Sequence, residues 1–225
     1  LRSIHPIAHV GTRSDTATNL LPPNTDPTSR LEWRRFPLPS AYRFQSLSQA
    51  NFSGSSPVDE DTVYWDTSTL SHCKHLLTLS LADTQTLHLD GLRQLSSLTH
   101  LNVSNTCLED LEPACRLPLT DVDVSKCEAL RDLTPLSKTL TLRRLNASEC
   151  GALQSVKCLA ELSRLEFLDV SLCVGLRHWG SGDSCDPWKA LKHVRMYGVA
   201  SHVAERAERE LGRYGRCWVE FFSEG

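Results

Sequence analysis

The sequence predicts an α/β solenoid: a curved parallel sheet with helices or irregular segments on its convex side, and an extended arm at its N-terminal end. Three observations predict it. One apolar, Ser-tipped hexamer returns as LNVSNT from 101, VDVSKC from 122, LNASEC from 145 and LDVSLC from 168. Each copy lies within a longer frame, L-x-x-L-x-L-x-x-C/T, which opens at Leu76, Leu98, Leu119, Leu142 and Leu165. The first sixty residues obey no such rule and show neither a strand nor a helix period. A unit returning at a fixed interval is the signature of stacked architectures.

The arm is assigned to residues 1–60. Pro6, Pro22, Pro23, Pro27, Pro37 and Pro39 break any long helix there, and the segment has too little apolar surface to fold alone. It is expected to lie extended across another molecule, anchored by Trp33, Phe36, Tyr42 and Phe44 with Arg34 and Arg35 beside them. Packing against the body of its own domain is the alternative. The chain begins with Leu rather than Met, which implies a processed or truncated start. Arg2, Arg13, His5 and His9 precede the first acid, Asp15, in the manner of an organelle transit remnant.

Residues 61–200 hold the repeats. Positions 4 and 6 of the frame flank one residue on a short strand, so both face the core while position 5 faces away. Apolar residues between frames cover the core from the other side, for example Leu130, Leu133 and Leu136, or Leu153, Val156, Leu159 and Leu162. One unit cannot bury its own apolar face, so neighbours must stack. A degenerate sixth unit opens at Leu191, and RCWVEFF offers a seventh, with Val219 and Phe221 at positions 4 and 6. Residues 201–225 are expected to cap the array with a helix and a strand. Ser201 serves as N-cap, Gly212 or Gly215 ends the helix, and Val203, Ala207 and Leu211 share its apolar side.

With five in-register copies, the array resembles a leucine-rich-repeat protein, of the cysteine-containing type found in F-box-family receptor subunits. The resemblance covers roughly residues 70–200. It implies that position 9 (Thr84, Thr106, Cys127, Cys150 and Cys173) turns inward to meet the backbone of the turn. A small side chain that packs as a hydrophobe and offers a weak donor suits that place. Reactive or metal-binding thiols would need exposure and a lowered pKa, and stacking sets these thiols in a row rather than a tetrahedron. No F-box is recognisable before the repeats: FPLPSAYRFQSLSQ has Leu-Pro but lacks the continuing helical pattern.

Position 7 is Ser104, Ser125, Ser148 and Ser171, four copies of a turn-bracing hydroxyl rather than one catalytic serine. The candidate binding surface is the outer face of the sheet. Positions 3 and 5 give His100 and Asn102, Asp121 and Asp123, Arg144 and Asn146, Phe167 and Asp169, then His193 and Arg195. This stripe is mixed in sign and suits a protein partner better than a phosphate backbone, or is an ordinary solvated face. His100 beside Asp121 reads as a cross-strand polar pair, since no nucleophile shares the face between them. SHCKH (His72, Cys73, His75) lacks a second pair at metal-ligand spacing. GSGDSCDPW, residues 180–188, lacks the Lys-Ser/Thr of a phosphate loop and reads as a surface loop tied by Trp179 and Trp188.

With 24 basic and 27 acidic residues, nothing favours nucleic acid or an anionic membrane, and RNA contact is not indicated by charge. No apolar run approaches the roughly 18–20 residues of a membrane span. The nine cysteines are odd in number and form no C-x-x-C pair, which points to reduced thiols in an intracellular compartment. No catalytic, cofactor or metal constellation appears, and homo-oligomerisation is not indicated. The expected function is a non-enzymatic protein–protein interaction scaffold, a structural subunit of a large intracellular assembly. The narrower expectation is mitochondrial, in a ribosome or respiratory complex. The alternative is a substrate-recognition subunit of an F-box-type ubiquitin ligase.

Overall fold

The computed structural model describes residues 3–4, 48–54, 67–180, 187–212 and 217–221. Their strands form one parallel sheet in chain order: β1 (Ser3–Ile4), β2 (Gln49–Asn51), β3 (Thr78–Ser80), β4 (His100–Asn102), β5 (Asp121–Asp123), β6 (Arg144–Asn146), β7 (Phe167–Asp169), β8 (His193–Arg195) and β9 (Trp218–Glu220). Each strand pairs with its sequence neighbours at the same frame position, so Leu79, Leu101, Val122, Leu145, Leu168, Val194 and Val219 form one column. Residues at position 4 and at position 6 (Leu81, Val103, Val124, Ala147, Val170, Met196) are buried, apart from Val219 and Phe221 at the end of the array.

The strands are short because position 8 ends each one. Asp83, Asn105, Lys126, Glu149 and Leu172 all have φ between 52° and 61°, with Gly54 and Gly198 at the same position. The left-handed conformation costs an L-residue about 1–2 kcal/mol. The repeat sustains it because the N–H of position 8 donates to the position 7 carbonyl of the next unit: Asp83 to Ser104 at 2.9 Å, Asn105 to Ser125 at 2.7 Å, Glu149 to Ser171 at 2.7 Å. The hydrogen-bond ladder therefore runs on through the turn.

On the convex side the chain returns through short 3-10 turns, Asp90–Gln94, Glu112–Ala114, Thr134–Lys138 and Lys157–Leu159. Pro113 and Pro135 sit in the first turns of two of them, where a missing N–H costs nothing. Too few residues separate one strand from the next for a full α-helix and two bends. Leu92, Leu136 and Leu159 from these turns, with Leu111 just before one of them, are buried and close the core from outside. Gly91 marks the tightest approach. A Cβ there would stand 1.7 Å from the Thr67 carbonyl oxygen, and the Gly91 N–H donates to Thr67 Oγ1 at 3.2 Å.

The array extends into the segment expected to form the arm, where β2 pairs with β3. Residues 48–54 are a repeat unit: Ala50 and Phe52 are buried at positions 4 and 6, and Gly54 takes the left-handed place. Ala and Phe replace the usual leucines there, so the unit is hidden from a leucine count. The arm anchors Trp33, Arg34, Arg35, Phe36, Tyr42 and Phe44 lie outside the described residues.

At the other end, helix α1 (Ser201–Gly212) buries Val203, Ala204, Ala207 and Leu211. The Ala200 carbonyl accepts its first bonds, from Val203 and Ala204, so the cap falls on Ala200 rather than Ser201. RCWVEFF supplies β9, whose Val219 packs with Phe221 against the same core. Residues 181–186 of the Gly-rich insertion lie outside the described residues. The tryptophans that flank it are buried and stacked, with ring centroids 4.5 Å apart.

Candidate functional site

The outer face is built by register. Position 3 of β4 to β9 aligns His100, Asp121, Arg144, Phe167, His193 and Trp218 in one column, and position 5 aligns Asn102, Asp123, Asn146, Asp169, Arg195 and Glu220 beside it. All ten of the residues expected on this face are exposed or half-buried there.

The two columns do different work. At position 5, Asn102, Asp123, Asn146 and Asp169 each accept the N–H of their own position 7 serine through Oδ1, at 2.9 to 3.1 Å. Asn51 does the same for Ser53 at 2.9 Å. These are Asx turns, which satisfy the backbone where the strand ends. Half of each polar side chain is thus committed to the fold. The serine hydroxyls are less uniform: Ser125 Oγ donates to Asp123, while Ser171 Oγ accepts the Tyr197 N–H at 3.3 Å.

At position 3 the first half of the column is polar and internally paired. Arg144 Nε donates to Asp121, and His100 Nε2 lies 3.4 Å from the same carboxylate. Burial pulls the Asp121 carboxyl up, but hydrogen bonds from Thr120 and Arg144 outweigh it and hold the group below its ordinary value. No Ser or Cys nucleophile stands between His100 and Asp121, so the pair is a strut across two strands.

From β7 onward the column turns aromatic. Phe167 meets the His193 ring edge-on, at 5.5 Å and 72°, and the Arg195 guanidinium lies 5.5 Å above the Phe167 ring. Glu220 organises the rest. It accepts Tyr197 Oη at 2.6 Å and Arg195 Nε at 3.2 Å. His193 Nε2 stands 2.9 Å from its other oxygen in a charge contact rather than an aligned hydrogen bond. The Tyr197 hydrogen bond, with the His193 and Arg195 charges, lowers the Glu220 pKa, and the same bond raises that of Tyr197. Trp218 completes the column and is 70% exposed. Trp218, Glu220 and Tyr197 were not among the expected site residues, although RCWVEFF in frame puts the first two in the same columns.

The position 9 side chains all bond carbonyls at position 6, by two routes. Thr84 and Thr106 donate to their own unit's Leu81 and Val103, at 2.6 and 2.8 Å. Cys127, Cys150 and Cys173 reach back to the preceding unit's Val103, Val124 and Ala147, at 3.2, 3.2 and 3.0 Å. Burial pushes all three thiols up, Cys173 to about 12. Such thiols are interior plugs, not nucleophiles. In SHCKH, Cys73 is buried and raised to about 11, while His72 and His75 are exposed. Among the described residues no group of three or more His, Cys, Asp or Glu is arranged to hold a metal, and no helix is long and apolar enough to cross a membrane.

No protein-family model matches the sequence, and no curated protein matches it in sequence. Solved structures do resemble it. An internalin C2 from Listeria monocytogenes is 19% identical with a TM-score of 0.52, over 68% of this chain and 62% of that one. A second internalin of that organism (inlF) is 14% identical with a TM-score of 0.56, over 82% of this chain and 58% of that one. The chain thus spans about six-tenths of the length of the internalins it matches. At these identities the likeness is one of fold, the leucine-rich-repeat solenoid.

Proposed function

We propose that the chain is a non-enzymatic protein-interaction scaffold that seats a partner on the C-terminal half of its concave face. The observation that carries this reading is the aromatic column of Phe167, His193 and Trp218, ending in an indole that is 70% exposed. Aromatic and Arg side chains concentrate at the centres of protein interfaces, where desolvated rings supply most of the affinity. Arg195 is held over Phe167 by Glu220, so the surface is pre-ordered and loses little entropy on binding. The mixed sign of the neighbouring charges favours a protein surface over a phosphate backbone.

Under the same proposal the partner is a subunit of a large intracellular assembly, with mitochondrial ribosomal or respiratory complexes as the narrower reading. The Pro-rich segment before Ser48 acts as a second anchor through Trp33, Phe36, Tyr42 and Phe44. The test is affinity purification with mass spectrometry on three forms: the full chain, a Phe167→Ala/Arg195→Ala variant and a form lacking residues 1–47. The expected result is that the double variant loses its main partner, by about tenfold if one hot spot is removed. Undiminished recovery with the double variant would overturn the concave-face reading. Undiminished recovery without residues 1–47 would remove the arm from it.

A further inference from the structure

Beside the aromatic column, at the rim where strands β6, β7 and β8 begin, lies a groove of about 530 Å³. Its charged lining is Arg143, Arg164, Glu166, Lys189 and Lys192. The backbone ladder sets three of these in a row: the N–H groups of Glu166 and Phe167 donate to the Arg143 carbonyl, and those of Lys192 and His193 to the Glu166 carbonyl. Four cations thus surround a single carboxylate.

Glu166 is already paired on both of its oxygens. Arg143 Nη1 lies 3.0 Å from one of its oxygens and Lys192 Nζ 2.6 Å from the other. The hydrogen bond from Lys192, then the charges of Lys192 and Arg143, keep its carboxyl below the ordinary value. Arg164 and Lys189 have no acidic partner among the described residues. The groove therefore keeps two cations without an acidic partner among the described residues, in a chain whose net charge is −3.

We infer that this groove seats a short acidic segment of the partner protein, two carboxylates meeting Arg164 and Lys189. The inference rests on the scaffold reading above. Arg forms a planar fork that matches a carboxylate, and Lys adds a mobile point charge beside it. A nucleic-acid strand is the poorer occupant. Its affinity comes from neutralising many phosphates along a basic track, whereas these cations are confined to one groove with a carboxylate at its centre. Glu166 is followed directly by Phe167, so a partner chain leaving the aromatic column crosses the rim at this point. Rim charges of this kind set association rate and partner choice more than total affinity.

The probe is a fluorescein-labelled octaglutamate peptide, read by fluorescence anisotropy with the full chain at low ionic strength (about 0.02 M, where screening is weak). Octaglutamate is expected to bind, and to weaken by about tenfold or more in Arg164→Glu/Lys189→Glu, the size of one or two lost charge-assisted contacts. Glu166→Gln is expected to tighten it several-fold, which a merely misfolded variant would not do. Trp218→Ala, which removes no charge, is expected to leave octaglutamate binding unchanged, so that failure of the groove and failure of the concave face are told apart. Three results would overturn the inference: no binding to the full chain, equal binding by the charge-reversed variant, or tighter binding of octathymidylate. A tenfold gain in Asp183→Asn/Asp186→Asn would also overturn it, by assigning the groove to the chain's own acids.

Discussion

The two ends of the concave face share one frame and differ in what they place on it. In the β3–β5 half, position 3 is Thr78, His100 and Asp121; in the β7–β9 half it is Phe167, His193 and Trp218. Beneath both, the column of Leu and Val at position 4 is unchanged. The second column explains how the difference arises. From β4 to β7 an Asn or Asp at position 5 must accept the N–H of position 7. In β8 that place is Arg195, which cannot accept, and the Tyr197 N–H goes to Ser171 Oγ instead. Released from the turn, Arg195 is free to lie over Phe167. The face gains a cation over an aromatic ring where the repeat stops needing that residue for itself.

The comparison predicts that core substitutions ignore the two halves. Leu101→Ala in the polar half and Leu168→Ala in the aromatic half each delete a fully packed side chain from the same column. Each should cost about 2–5 kcal/mol, seen as similar falls in urea midpoint. A markedly smaller loss at one site would show that the halves do not share a continuous core.

Surface substitutions should separate the halves. Trp218→Ala is expected to weaken partner recovery by about tenfold with an unchanged urea midpoint, because the indole is 70% exposed. His100→Ala should leave recovery unchanged. Equal losses at the two positions in the same purification would mean that the whole face binds, and that the aromatic half is not special.

The frame was legible in the sequence because its constraint is repeated. Positions 1, 4, 6 and 9 are read five times over, and one misfit such as Ala147 does not hide them. What escaped was unrepeated. Residues 48–54 carry Ala50 and Phe52 where leucine is usual, so a leucine pattern passes over that unit. The Asx role of position 5 escaped for another reason. Asn and Asp look like solvent-facing polar residues, and the N–H they accept is set by a backbone turn that composition does not reveal. Trp218 and Glu220 stand in the right columns of RCWVEFF, but Val219 and Phe221 mark that copy by its core positions alone. The rim groove combines residues of three units, Arg143, Glu166 and Lys192, and no single repeat contains it.

The division of labour at position 5 is testable at a smaller scale. Asn146→Ala strands the Ser148 N–H, now bonded at 3.1 Å, and should cost about 1 kcal/mol, the usual worth of such a cap. Arg195→Ala removes a half-exposed pair with Glu220 and the contact over Phe167, and should cost less than Asn146→Ala. If the two costs come out reversed, position 5 is structural in β8 and free in β6, contrary to the geometry.

The smallest effect concerns acid. Asp121 in the first half and Glu220 in the second both hold their carboxyls below the ordinary values of 3.8 and 4.5, through hydrogen bonds and neighbouring cations. A carboxyl depressed in the folded state binds fewer protons there than in the unfolded chain, so it stabilises the fold above its unfolded value and loses that contribution as pH falls through the folded one. The urea midpoint should therefore be level from neutral pH down to about 5 and decline below about 4.5 as carboxylates begin to protonate. Glu220 contacts two groups on β8, Arg195 and His193, and Tyr197 just after it, whereas Asp121 ties β4 to β6. Glu220→Gln should therefore flatten the acid decline of the C-terminal end alone, read as a smaller loss of amide protection around Val219 between neutral and acid pH, relative to Leu101. Asp121→Asn should do the converse. Were either substitution to flatten both ends together, the two halves of the face would be electrostatically coupled rather than independent.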